Sequence, residues 1–324
     1  MKIRKSPMVI LAALLLVALV FEIAYYNYSA RKVEPIRQIS VIVYGSDAAR
    51  WENLMQGAEL AAEDLNAEVT LITMSSENDA KEQISLIRRE VANGADALLI
   101  AACDSDQISA YLKSNPLKIP YAFVETGTED PGVPVISPDD VQMAQALVQT
   151  IDENEKDWIK VAVIADHTER ASVQQRLTAL THTDKPYADE VVLWERNEQE
   201  KDKKAQFFLQ RELTEEAVDV VVALDNSSME ELLDATVNLN KDIKIYGIAG
   251  SSKCVSYLDY GWIRSLVYPD EFSIGYTGVT TLLASKSQPS SSMNPADPEI
   301  RFEIINHDNM YETGNQRLLF PHVR

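Results

Sequence analysis

The chain has 324 residues, 46% of them hydrophobic, with 50 acidic against 30 basic side chains and a net charge of −20. That composition excludes intrinsic disorder and suits two ordinary domains, while the negative charge excludes a surface that tracks phosphates. Two cysteines, Cys103 and Cys254, are too few for a disulfide scaffold and lack the paired spacing of a zinc site.

At the N-terminus, Lys2, Arg4 and Lys5 precede an apolar run. The segment from Pro7 to Tyr26 has about the length a helix needs to cross a hydrocarbon core. Its basic flank is expected to stay cytoplasmic, with everything beyond it exported. Glu22 lies near the outer end, beside Tyr25, Tyr26 and Tyr28, which suit a membrane interface. A cleaved signal peptide is the competing reading, but Tyr28-Ser29-Ala30 is a poor cleavage site, so an uncleaved anchor is expected. No cysteine follows the run to carry a lipid. Residues 1–37 hold six basic and two acidic side chains, which leaves 24 against 48 in the exported part, a charge of −24.

Beyond the anchor the pattern is a repeated strand and helix. Strands are predicted at Ile39–Tyr44, Glu68–Thr73, Ala97–Ala101 and Tyr121–Glu125, separated by helices at Arg50–Leu65, Asp79–Asn93 and Asp104–Ser114. A loop rich in Gly and Pro, Gly127–Pro138, interrupts the alternation. It resumes with helices at Asp139–Asn154, Ala171–Thr181, Lys201–Leu213, Met229–Leu239 and Ser251–Asp259. The intervening strands are Lys160–Ala165, Glu190–Trp194, Val218–Ala223, Lys244–Ala249 and Ile263–Val267. A helix at Phe272–Leu283, a Ser/Pro-rich loop at Ser285–Pro298 and a strand at Ile300–Ile305 complete the series. Near-continuous apolar strands between amphipathic helices mean parallel sheets covered on both faces, and the fold class is α/β with two lobes of similar size. Ligands of such sheets sit beyond the carboxyl ends of the strands.

Several residues in order along the chain carry a family resemblance. They are Gly57-Ala58, Ala95-Asp-Ala-Leu-Leu-Ile100, Asp104-Ser105-Asp106, Ile119-Pro120, Gly261-x-Ile263, Asp270 and Gly275-Tyr276. From about Gln38 to Ile305 the chain resembles the type I periplasmic binding proteins for sugars, the ribose- and galactose-binding group above all. The resemblance implies two doubly wound parallel-sheet lobes forming a clamshell, joined by crossings near Pro138, Pro269 and Glu299. Lobe one is then 38–138 plus 270–299, and lobe two is 139–269 plus 300–324, with 1–37 as cytoplasmic tip, transmembrane helix and linker.

A sugar needs an aromatic face for its ring and a few polar groups for its hydroxyls. By resemblance, ligand contacts fall on Tyr44, Asp47, Arg50 and Trp51 after the first strand and on Glu125 at the end of the fourth. In lobe two the resemblance adds Arg176 and Asp225, while Asp166 with His167 after one predicted strand and Trp194 at the end of the next are candidates by position. For Trp51 and Trp194 core packing is an equal alternative to ligand contact, and a lone loop histidine is commonly just solvated. Two departures stand out: Ile248-Ala249 replaces an aromatic-Asp pair, and Pro269 replaces a frequent cleft Gln, so the pocket should hold fewer polar contacts than a ribose site.

No nucleophile elbow, metalloprotease motif or P-loop occurs, so no catalytic residue, metal or cofactor is expected. The glycines of Gly247-Ile-Ala-Gly250 are read as serving a strand-to-helix turn. Cys103 and Cys254 map to different lobes and are read as buried thiols. Three functions follow: the solute-binding component of a sugar ABC importer, a tethered sensor reporting to a membrane sensor histidine kinase, and, from another class, an extracytoplasmic saccharide hydrolase.

Overall fold

The computed structural model describes residues 14–22 and 36–320, apart from 129, 156–157, 184–186, 198, 202, 238, 240–242 and 285–299. The chain divides into two units, residues 1–36 and 37–324. In the first, α1 is described over 14–22, with Leu14, Leu15, Leu16 and Phe21 exposed. The remainder of the expected span from Pro7 to Tyr26 lies outside the described residues. No helix among the described residues is long and apolar enough to cross a membrane.

The second unit holds two sheets. The first runs β2-β1-β3-β4-β5, all parallel, from β1 (Arg37–Ile42), β2 (Ala67–Ile72), β3 (Ala97–Ile100), β4 (Tyr121–Val124) and β5 (Val135–Ile136). The second runs β11-β10-β9-β8-β6-β7, from β6 (Lys160–Ile164), β7 (Glu190–Trp194), β8 (Val220–Ala223), β9 (Lys244–Ile248), β10 (Ile263–Pro269) and β11 (Phe302–Asn306). Strands β3 (ALLI) and β8 (VVVA) are buried at every residue, as central parallel strands covered by helices on both faces must be. The two-residue β5 falls inside the predicted Gly127–Pro138 loop, because a strand that short shows no periodicity.

Helices α2 (Glu52–Asp64), α3 (Ala80–Asn93) and α4 (Ser105–Ser114) connect the first sheet, and α5 (Asp140–Asn154) opens the second. There α6 (Ala171–Thr181), α7 (Ala205–Glu215), α8 (Asn226–Thr236) and α9 (Ser252–Asp259) link successive strands. Side-chain caps start many of them at the carboxyl ends of the strands. Asp79, Asp104, Asp139, Asp225 and Ser251 each accept from a backbone N–H of the first turn. The cap at Asp225 places the start of α8 three residues earlier than the predicted Met229.

The chain leaves β10 at its carboxyl end and forms α10 (Glu271–Ala284) against the first sheet. Gly57 of α2 and Gly275 of α10 let the two backbones touch: a Cβ on Gly57 would lie 1.9 Å from the Phe272 carbonyl oxygen, and one on Gly275 1.9 Å from that of Leu54. On return, β11 pairs Phe302 with Pro269 and runs antiparallel to β10. A chain that re-enters the sheet at the end from which it left must run the other way, so β11 is the one antiparallel strand described. The loop Ser285–Pro298 and the expected crossing at Glu299 lie outside the described residues. After β11 comes α11 (Thr313–Leu319), too short to register as a helical period.

One apolar core lies around the first sheet and two lie on the faces of the second. Cys103 belongs to the first and Cys254 to one of the others, both as free buried thiols.

Candidate functional site

The carboxyl ends of both sheets face one another, and charged side chains bridge them. Arg50 closes a 3₁₀ turn (Ala48–Trp51) after β1. Its guanidinium bonds Glu77, in the loop after β2, at 2.8 Å, and reaches across to Glu230 of α8 at 3.1 Å. Arg170, in the loop before α6, reaches the opposite way. It bonds Glu77 at 3.0 Å and Asn78 at 3.0 Å across the cleft, and Asp225 at 2.7 Å within its own lobe. The Ser227 hydroxyl accepts from both arginines, at 3.0 and 3.1 Å, and donates to Glu77 at 3.0 Å. Arg170 is fully buried, and its guanidinium carbon lies 3.5 Å from the centroid of the Tyr44 ring.

Two carboxylates of this bridge are held ionised. Burial alone would raise Glu77, but Arg170 and Arg50 bring it down to about 2. Burial likewise opposes ionisation of Asp225, which Arg170 and the bond from Ser228 help hold at about 2.

Behind the bridge, at the crossings, lies a small cavity. Leu54, Ile248, Ala249, Pro269 and Ile274 form its apolar wall, while Glu125, Arg176, Asn226 and Glu271 supply polar groups and Trp51 an aromatic edge. Its enclosed volume is about 10 Å³, near the minimum for one water molecule. A molecule the size of a sugar therefore enters only if the sheets part. Arg176 is held there by Asp140 at 2.7 Å and by the Leu224 carbonyl at 2.7 Å. Glu125 sits at φ 62, a left-handed conformation that a non-glycine residue adopts at a cost of about 1–3 kcal/mol. Its carboxyl interacts with the Tyr44 hydroxyl, and the residue lines the cavity.

Tyr44, Arg50, Trp51, Glu125, Arg176 and Asp225 thus gather at the cleft. Tyr44 and Trp51 meet edge to face at 4.9 Å, and the indole N–H donates to the Tyr44 carbonyl at 3.3 Å. Three other candidates make other contacts. Asp47 is exposed and caps the 3₁₀ turn by accepting from the Ala49 amide. Trp194 packs in the core with Phe208 and Leu209, its indole N–H on Glu216 at 2.7 Å. Asp166 is paired with Arg196 at 2.5 Å.

Asp166, His167 and Glu231 bring ligand-type atoms within 4.8 Å of one another. Hydrogen bonding sets the tautomer, however. The Asn78 amide oxygen accepts from Arg170, so its nitrogen donates to His167 Nδ1 at 2.9 Å. Nε2 then carries the hydrogen and faces Glu231 at 3.6 Å. A metal-binding histidine has the reverse arrangement, donating from its second nitrogen.

Sequence reasoning missed Glu77, Arg170, Glu230 and Glu271. Glu77 lies in the polar run Ser75–Asp79 just after a strand, and that placement was a usable signal. Glu230 and Glu271 sit on helices, where a lone carboxylate reads as solvated surface.

The model of the periplasmic binding protein domain matches residues 39–287. The chain belongs to the periplasmic binding protein family. Among curated proteins no match is found. Similar solved structures include an Agrobacterium radiobacter carbohydrate transporter solute-binding protein in complex with D-arabinose, 20% identical at a TM-score of 0.73, covering 88% of this chain and 99% of that one. An ABC transporter solute-binding protein from Agrobacterium vitis with bound D-fucose is 16% identical at 0.74, covering 87% and 100%. A chain of the XylFII-LytSN complex is 14% identical at 0.67, covering 85% and 99%. At these identities the likeness is one of fold: two parallel-sheet α/β lobes of the type I periplasmic binding proteins.

Proposed function

We propose that this periplasmic binding protein takes up a small carbohydrate-like ligand between its lobes, outside the cytoplasmic membrane. The observation that carries this reading is the makeup of the cavity, where Trp51 stands beside Glu125, Arg176, Asn226 and Glu271 at the carboxyl ends of two sheets. The lobes, 38–138 with 270–299 and 139–269 with 300–324, part and close about crossings near Pro138, Pro269 and Glu299. The solved relatives that hold D-arabinose and D-fucose support the ligand class. Thermal-shift titration with these two sugars and a panel of other monosaccharides tests it. A ligand at a hundred times its Kd raises stability by about 2.7 kcal/mol, and no shift with any of them at millimolar concentration overturns the reading.

The Pro7–Tyr26 segment holds the protein at the membrane as a single span. A mature N-terminus near Arg31 on sequencing would overturn this. A tethered binder serves either an ABC permease or a sensor histidine kinase, and the likeness to a chain of the XylFII-LytSN complex favours a protein partner. Co-purification from membranes with a permease or with a histidine kinase distinguishes the two roles. The chain acts as a binder; release of product from a saccharide panel would place it among hydrolases instead.

A further inference from the structure

Glu271 begins α10, where the chain has just crossed into the first lobe, and its carboxyl group forms part of the cavity wall. Asn226 fixes it from the opposite lobe. The Asn226 amide oxygen accepts from the backbone N–H groups of Gly250 at 2.8 Å and Ser251 at 3.0 Å, so its nitrogen must face Glu271 and donates to Oε1 at 3.0 Å. Gly250 leaves space for the group, since a Cβ there would stand 2.7 Å from Oε1. The other oxygen, Oε2, is buried without a hydrogen-bond partner.

Among the described residues no cation pairs with Glu271. Arg176, in the same wall, is committed to Asp140 and Leu224, while Arg50 and Arg170 are committed to the bridge. The charged groups that act on it most strongly are acidic: Glu125 across the cavity, Glu230 from α8, and Asp270 next in the chain. A buried carboxyl that faces other carboxylates and has no cation favours its neutral form.

Resting on the reading of this cleft as the ligand site, we propose that Glu271 stands there as an uncharged carboxylic acid whose Oε2 donates a hydrogen bond to an oxygen of the ligand. It thereby selects uncharged polyhydroxy compounds over ones that bear an ammonium group. An ammonium would instead draw the proton off and pair with the carboxylate. Burial first, and Glu125 second, push the group up to about 8, in keeping with that protonation.

The variants Glu271→Gln and Glu271→Leu, compared with the parent, test this in two ways. Calorimetric titration with D-arabinose and D-fucose should find E271Q within about threefold of the parent near neutral pH, because the amide keeps an N–H donor, and E271L weaker by roughly tenfold or more. Parent affinity should fall as pH rises beyond about 8, and that of E271Q should not. Without ligand, the parent should lose stability relative to E271Q as pH rises from 4.5 toward about 8, then level off, because only the folded state holds the proton across that interval. Affinity that tightens with pH, an E271Q as weak as E271L, or parallel stability curves for parent and E271Q would each overturn the inference. Failure of the parent to bind either sugar counts against those ligands and not against Glu271, whose protonation the ligand-free curves decide by themselves.

Discussion

Arg170 joins more of the cleft than any other side chain described, touching Tyr44, Glu77, Asn78, Asp225 and Ser227. A buried ion pair contributes little net stability, because desolvation offsets the attraction, yet removing one partner strands the other. Arg170→Ala should therefore cost about 3–5 kcal/mol in urea unfolding. Arg170→Lys should recover only part of this, since an ammonium cannot form the two-sided fork or lie flat on Tyr44. Acid should act on the same bridge. Glu77 and Asp225 are depressed to about 2 in the folded chain, so their contribution is complete above the ordinary carboxylate range and is lost as pH falls toward about 2. In Glu77→Gln the acid-dependent loss, followed by circular dichroism against pH, should be smaller than in the parent.

Among the elements, α10 has the closest contact described. It follows a strand of one lobe and packs on α2 of the other, with Gly57 and Gly275 at the point of touch. The atoms a methyl group would meet are backbone, so no side chain can swing aside. Gly275→Ala should destabilise by about 1–3 kcal/mol or more by overpacking, read as a lower midpoint in thermal unfolding. Gly94→Ala is a fitting control. Nothing lies within 4 Å of its would-be Cβ, and only its φ of +95 is violated at the end of α3.

At the scale of the whole binding unit, the two sheets are held together by the protein's own charges. Arg50 to Glu230, Arg170 to Glu77, and Asn53 to the Tyr268 hydroxyl at 3.0 Å all cross the cleft. With about 10 Å³ enclosed at the cleft, the two sheets stand closed on each other in this form. Opening must break these bonds, and water and the separated partners then solvate the charges, so the equilibrium is sensitive to single substitutions. Glu230→Lys sets like charges opposite Arg50 and should open the ligand-free protein. Small-angle scattering should show a larger radius of gyration for this variant than for the parent. Equal radii, with both proteins folded, would mean that the bridge does not govern closure.

Strand and helix alternation was legible in the sequence because burial on both faces forces apolar runs, and because amphipathic helices and their Asp caps announce themselves locally. The family resemblance was legible for a related reason: close approaches such as Gly57 against α10 tolerate few residue types. Parts of the cleft were also readable, since ligand-facing groups of parallel sheets come from the strand ends that carry Tyr44, Arg50, Trp51 and Glu125. Only the tertiary structure decided what those groups meet. Trp194 ends a strand and Glu125 follows one, yet the Trp194 side chain falls on the face covered by α7 and joins the core. Arg170, Glu77, Glu230 and Glu271 look like ordinary surface charges in a chain of net charge −20. They become a buried bridge and a lone carboxyl because residues 27 to 180 positions apart are brought within hydrogen-bonding distance. Charge is visible in a sequence, but whether water or another charge surrounds it is a property of the assembled fold.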